Sequence, residues 1–145
     1  MGVAYELDEQ LGLTLTVFDG PVTGQEWRDS VAALFSDPRW PPGKLSLTDL
    51  RTADASALTA ADRAEIIAIN GSVAELAGMK SAALGGENFE AATAFEREDQ
   101  TSGMRLIVFN DVSTACGWLG IDTAAVNPMI EQLRRRLREV NQLTD

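Results

Sequence analysis

The stretch from Met104 to Gly120, MRLIVFNDVSTACGWLG, constrains the fold more tightly than any other part of this chain. Leu106, Ile107, Val108 and Phe109 form a short, continuously apolar run of the kind that marks a buried strand. Asn110 and Asp111 stop the run. Val112, Ala115, Cys116 and Leu119 then recur at helical spacing as far as Gly120, with Asp111 placed to cap the new helix. A strand that passes so directly into a helix predicts an α/β arrangement. Nothing in the stretch can perform chemistry, because Cys116 sits on the apolar stripe with no histidine anywhere in the chain to activate it.

The same pattern repeats upstream. Val3 to Glu9 and Gly12 to Phe18 alternate as two strands of a hairpin, with Leu13, Leu15 and Val17 sharing one face. Thr23 followed by Glu26 is a capping box, and Trp27, Val31, Leu34 and Phe35 predict the buried stripe of the helix it starts. A strand from Lys44 to Leu50 follows, and then a helix capped by Thr59 that reads to about Ala77 and carries Ile66, Ile69, Val73 and Leu76 on one face. Met79 to Leu84 reads as a strand, and Asn88 to Asp99 as a helix burying Phe89, Ala92 and Phe95. The continuous apolarity of 79–84 and 104–109 predicts interior strands covered on both faces. Alternation of this kind, after an opening hairpin, predicts a mixed sheet of about five strands covered by helices. At 145 residues the expectation is one domain, with its core over about 3–120 and an additional C-terminal helix over about 128–142, begun by Asn127 and Pro128.

Composition removes several functions. A formal net charge of −10 and a pI near 4.4 argue against nucleic-acid binding and against anionic membrane surfaces. No apolar run is long enough to span a bilayer. A single cysteine forms no internal disulfide, and the first residues lack the basic and apolar regions of a signal peptide, so a cytoplasmic protein is expected. Gly2 invites myristoylation, but Glu6 stands where Ser or Thr would be wanted. The lack of histidine excludes Ser–His and Cys–His nucleophiles and imidazole metal sites. No catalytic constellation, metal site or cofactor is expected.

Leu47-Thr48-Asp49-Leu50, Ala82-Ala83-Leu84-Gly85, Arg105 through Phe109, and Ala115-Cys116-Gly117-Trp118-Leu119 together resemble the SpoIIAA-like family, relatives of STAS domains. The resemblance covers roughly residues 3–120 and implies a SpoIIAA-like mixed sheet. It also implies a protein-interaction or regulatory module without catalytic activity. Better-known STAS domains are switched by serine phosphorylation in a segment resembling Asp-Ser-Ser-Gly-Leu. Here the segment is Asp54-Ala55-Ser56-Ala57-Leu58, with Ala55 at the phosphoacceptor position. The fold's kinship to CRAL-TRIO proteins implies an alternative, a carrier that encloses a small apolar ligand or lipid.

Three groups of candidate residues follow. Asp54 and Ser56 read either as a polar turn or as a partner-binding loop, together with Asp49 and Arg51 at the end of the preceding strand. Asp49 itself reads as a carboxylate site, a solvated strand end or an ion pair. Gly85-Gly86 reads as a tight turn more readily than as a phosphate cradle. Ile130, Leu133, Leu137 and Val140 form a seam two heptads long, which packs either on its own sheet or on a second chain; a homodimer is the expectation carried forward. Trp40, in a proline-rich loop, is the aromatic side chain placed to touch a partner or ligand.

Overall fold

A computed structural model describes residues 2–99 and 102–144. At its centre lies a five-stranded sheet in the spatial order β1 (Val3–Asp8), β2 (Leu13–Pro21), β3 (Leu45–Asp54), β4 (Lys80–Leu84) and β5 (Arg105–Phe109). The first two strands form an antiparallel hairpin, and β2 through β5 run parallel. Helices α1 (Gly24–Ser36), α2 (Ala60–Gly71) and α3 (Phe89–Glu98) connect the parallel strands, and α4 (Val112–Leu119) and α5 (Thr123–Thr144) complete the chain. This is the mixed α/β sheet that the alternation predicts, with the additional C-terminal helix in place.

Spatial order equals chain order, and that decides where the helices lie. Crossovers between parallel strands are right-handed, so three successive crossovers in one direction put their helices on one face. Accordingly α1 lies over β1 and α3 over β5, while α2 leans on α1 and α3. The opposite face is left for α4, over β4 and β5, and for α5, over β1 and β2. Because strand side chains alternate, the two faces have different compositions. Leu13, Leu15, Val17, Leu47 and Leu84 are completely buried against α4 and α5, each contributing roughly 1.5–3 kcal/mol of transfer free energy. The face under α1, α2 and α3 carries hydroxyls instead.

The Thr23 and Thr59 caps form as expected. Thr23 Oγ1 accepts from the Glu26 amide while Glu26 reaches back to the Thr23 amide, and Thr59 and Asp62 do the same for α2. Four expectations are corrected. The second helix ends at Gly71, where Ser72 Oγ donates to the Ile69 carbonyl at 2.7 Å, and Leu76 sits on a separate 3-10 turn (Ala74–Leu76). Strand β5 is an edge, not interior, so Ile107 is 39% exposed. Phe89 lies on the outer side of α3 and is exposed, leaving Ala92 as that helix's buried residue. The last helix begins at Thr123, four residues before the expected cap, and runs through Pro128. Asp122 starts it by accepting from the Ala124 amide at 3.0 Å, and burial of Val126 outweighs the backbone hydrogen bond that Pro128 cannot make. Among the described residues no helix is long and apolar enough to cross a membrane.

Candidate functional site

Asp49 is neither solvated nor a free carboxylate. It is fully buried at the sheet end facing α5 and accepts from Arg51 Nε at 3.0 Å, Arg51 Nη2 at 2.9 Å and Arg134 Nη2 at 2.8 Å. The register between β2 and β3 shifts after Val17, pairing Asp19 with Thr52, and such a bulge re-aims side chains. Thr52 therefore meets α5: its hydroxyl donates to Asp19 at 2.7 Å and accepts from Arg134 Nε at 3.1 Å. Arg138 closes on Asp19 at 3.1 and 3.2 Å, and Arg134 also meets Glu131. Burial alone would push the Asp19 carboxyl up, but Arg138 and Thr52 outweigh it and hold it below the usual carboxylate range. Three carboxylates face three guanidinium groups in this network, so it fastens α5 to the sheet and leaves no charge over for a ligand.

The seam on α5 has the same role. Ile130, Leu133 and Leu137 are buried in this chain's own core, with Val126 as the fourth member, whereas Val140 is 43% exposed. Of the two readings of the seam, packing on its own sheet is the one these three side chains follow, because Ile130, Leu133 and Leu137 are already enclosed. Asp54 and Ser56 are exposed, and Asp54 Oδ1 accepts from the Ser56 amide at 3.0 Å as in a simple polar turn. Gly85-Gly86 is a tight turn with Gly86 at φ +54°, and the Asn88 side-chain amide beyond it donates through Nδ2 to the Leu50 and Ala53 carbonyls. Cys116 is fully buried, and burial pushes its thiol up, away from the reactive form.

The other face of the sheet holds the feature the sequence did not reveal. Because α2 leans on α1 and α3 instead of on the strands, a cavity of about 210 Å³ remains beneath it. Its floor is a grid set by the strand register. Thr14 pairs with Ser46 and Ser46 with Ser81 in one row; Thr16 pairs with Thr48 and Thr48 with Ala83 in the next. The strands carrying neighbouring hydroxyls in a row lie about 4.8 Å apart. Had these positions been Leu or Ile, as on the other face, the cavity would be filled. Instead the Thr14 hydroxyl, in a residue 2% exposed, has no hydrogen-bond partner among the described residues.

The walls are largely apolar and aromatic. Trp27 packs on Phe18 at 6.4 Å and on Phe95 at 5.8 Å, and Phe35 packs on Trp40 at 4.7 Å, all of them lining the cavity. This explains why the stripe Trp27, Val31, Leu34 and Phe35 is only half-buried: it faces a cavity and not a filled core. Ile66 and Asn70 descend from α2, and Ala55 and Leu58 bring the Asp54–Leu58 loop to the rim. Among the described residues Arg63 is the one cation lining the cavity, and Glu98 already holds it at 3.1 and 3.3 Å. Among the described residues no three His, Cys, Asp or Glu side chains converge as a metal site.

Among solved structures, the sheet order and flanking helices are similar to those of an uncharacterized protein from the DUF3478 family with a SpoIIAA-like fold, from Shewanella loihica PV-4. The two align with a TM-score of 0.54 over 81% of this chain and 94% of that one, at 19% identity. The chain has a SpoIIAA-like fold. No protein-family model and no curated protein matches the sequence. Within this SpoIIAA-like fold the residues that sequence reasoning missed are Thr14, Thr16, Ser46, Thr48, Ser81 and Asn70. Their signal was present: Leu-Thr-Leu-Thr in one strand and Leu-Ser-Leu-Thr in its neighbour put a hydroxyl at every second position, and so on one sheet face.

Proposed function

We propose that this chain is a non-catalytic binding module that holds a small, largely apolar molecule between the sheet and α1, α2 and α3. The observation that carries this reading is the 210 Å³ cavity with aromatic walls and a hydroxyl floor. Interiors are ordinarily close-packed, so a space of this size in the centre of a small fold is a departure that needs a reason. A cavity of roughly 150 Å³ accepts benzene, whereas drug-sized ligands occupy about 300 Å³ or more. The part of the occupant held inside is therefore of one- or two-ring size. The non-catalytic part of this reading rests on the lining, which among the described residues holds no nucleophile–base pair.

A second reading, a protein-interaction module, is favoured by the loop at the rim. Asp54 and Ser56 are exposed while Ala55 and Leu58 line the cavity, so a partner touching this loop would sense what lies beneath it. The first reading is tested by a ligand-observed NMR screen of neutral one- and two-ring fragments. Several are expected to bind with dissociation constants below about 1 mM. If no fragment binds while the protein remains folded, the reading is wrong.

A further inference from the structure

We infer that the molecule held in the cavity is uncharged and carries its hydrogen-bonding group on one edge, directed at the hydroxyl floor. This deepens the binding reading and rests on it.

The first support is the asymmetry of the lining. One side is apolar, formed by Trp27, Phe35, Ile66 and Phe95, and the opposite side is the Thr/Ser grid on β2, β3 and β4. A molecule apolar all round would leave that grid without partners, which is unfavourable for buried hydroxyls. A molecule polar all round would lose its hydration against the aromatic wall. Only an occupant with one polar edge satisfies both sides.

The second support is the Thr14 hydroxyl, buried and unpartnered in the floor. Buried hydroxyls are normally bonded, and this one stands in the row with Ser46 and Ser81, whose side chains also make no hydrogen bond within the described residues. The Asn70 amide on α2 is similarly buried and lines the same space.

The third support excludes charge. A buried anion requires a cation or several directed N–H donors. Arg63 is already engaged by Glu98, and the Arg134 and Arg138 guanidinium groups serve Asp49 and Asp19 on the opposite face. A cation has no carboxylate to meet among the described residues of the lining. Hydroxyls and an amide, which both donate and accept, suit a neutral alcohol, phenol or carbonyl.

Three probes of equal ring size separate the possibilities by titration calorimetry at pH 7: 2-naphthol, naphthalene and 2-naphthoate. The expected result is that 2-naphthol binds at least about tenfold more tightly than either of the others, the worth of one or two buried hydrogen bonds. In the Thr14→Val/Ser46→Ala variant 2-naphthol should fall to the affinity of naphthalene, while naphthalene itself binds as well as before. The Thr16→Val/Thr48→Val variant gives an independent measure if the first pair folds poorly. Equal affinity for naphthol and naphthalene, or tightest binding of naphthoate, would overturn the inference and leave the cavity as a binding site. No binding by any of the three would overturn the binding reading itself, and this inference with it.

Discussion

Replacing Arg134 with methionine is expected to destabilise the fold by about 3 kcal/mol, seen as a fall of roughly 10 °C in melting temperature. Arg134 is 6% exposed and joins Asp49, Thr52 and Glu131 across the interface between α5 and the sheet. Breaking a buried pair by removing one partner leaves the other charge uncompensated, which is far more damaging than losing a surface bridge. Arg51 still serves Asp49 in the variant, which keeps the loss toward the lower end of the usual range for such sites. Methionine retains most of the stem's packing, so the change reports mainly the charge. Arg135→Met, one residue along on the exposed side of α5, is the control and should shift stability by no more than about 0.5 kcal/mol. Chemical denaturation of the two variants decides the matter, and equal effects would show that the network contributes nothing specific.

The second large effect is expected on binding and not on stability. Thr48 and Ala83 are paired neighbours on the cavity floor, and Thr48→Leu with Ala83→Leu puts aliphatic bulk into the space beneath α2. In a close-packed core such enlargement destabilises, because side chains are forced off their rotamers. Here there is room, and filling a cavity commonly adds about 0.5–2 kcal/mol. The double variant should therefore melt higher than the parent and bind 2-naphthol at least about a hundredfold more weakly. A lower melting temperature would mean that the floor is already packed against its roof. Unchanged affinity in a more stable variant would place the ligand elsewhere.

Much of the fold was legible because it depends on short-range signals. Thr23 with Glu26, and Thr59 ahead of its helix, mark helix starts that the structure reproduces. The strand–helix alternation then leaves few topologies, and right-handed crossovers choose among them. The errors arise where long-range packing overrides local pattern. Arg105 to Phe109 reads as interior by its apolarity, yet nothing in the strand itself says that no sixth strand will pair with it. Asn127-Pro128 is a good local helix start, but Val126 belongs to the buried seam and draws the helix back to Thr123.

The candidate site was less legible. Ile130, Leu133 and Leu137 were visible as an apolar seam, but a seam's partner cannot be read from its spacing, and the sheet of the same chain took it. Asp49 read as a carboxylate site, a solvated strand end or an ion pair; the pair with Arg51 was within reach of the sequence, but Arg134, 85 residues further on, was not yet beside it. The cavity floor was hidden in the alternation of leucine with threonine and serine. That pattern ordinarily describes a sheet with one face in water. Only the placement of three crossover helices over that face turns solvent-facing hydroxyls into the floor of a half-open cavity.

The central claim is that the space under α2 is a binding site, and amide chemical-shift mapping with 2-naphthol tests it most directly. The predicted result is a saturable set of shifts confined to the cavity-facing residues of β2, β3 and β4, including Thr14, Thr16, Ser46 and Thr48, and to the inner turns of α1, α2 and α3. The helix α5 and its arginine network on the opposite face should stay silent. Shifts concentrated on the α5 face, or none at all in the folded protein, would contradict the account.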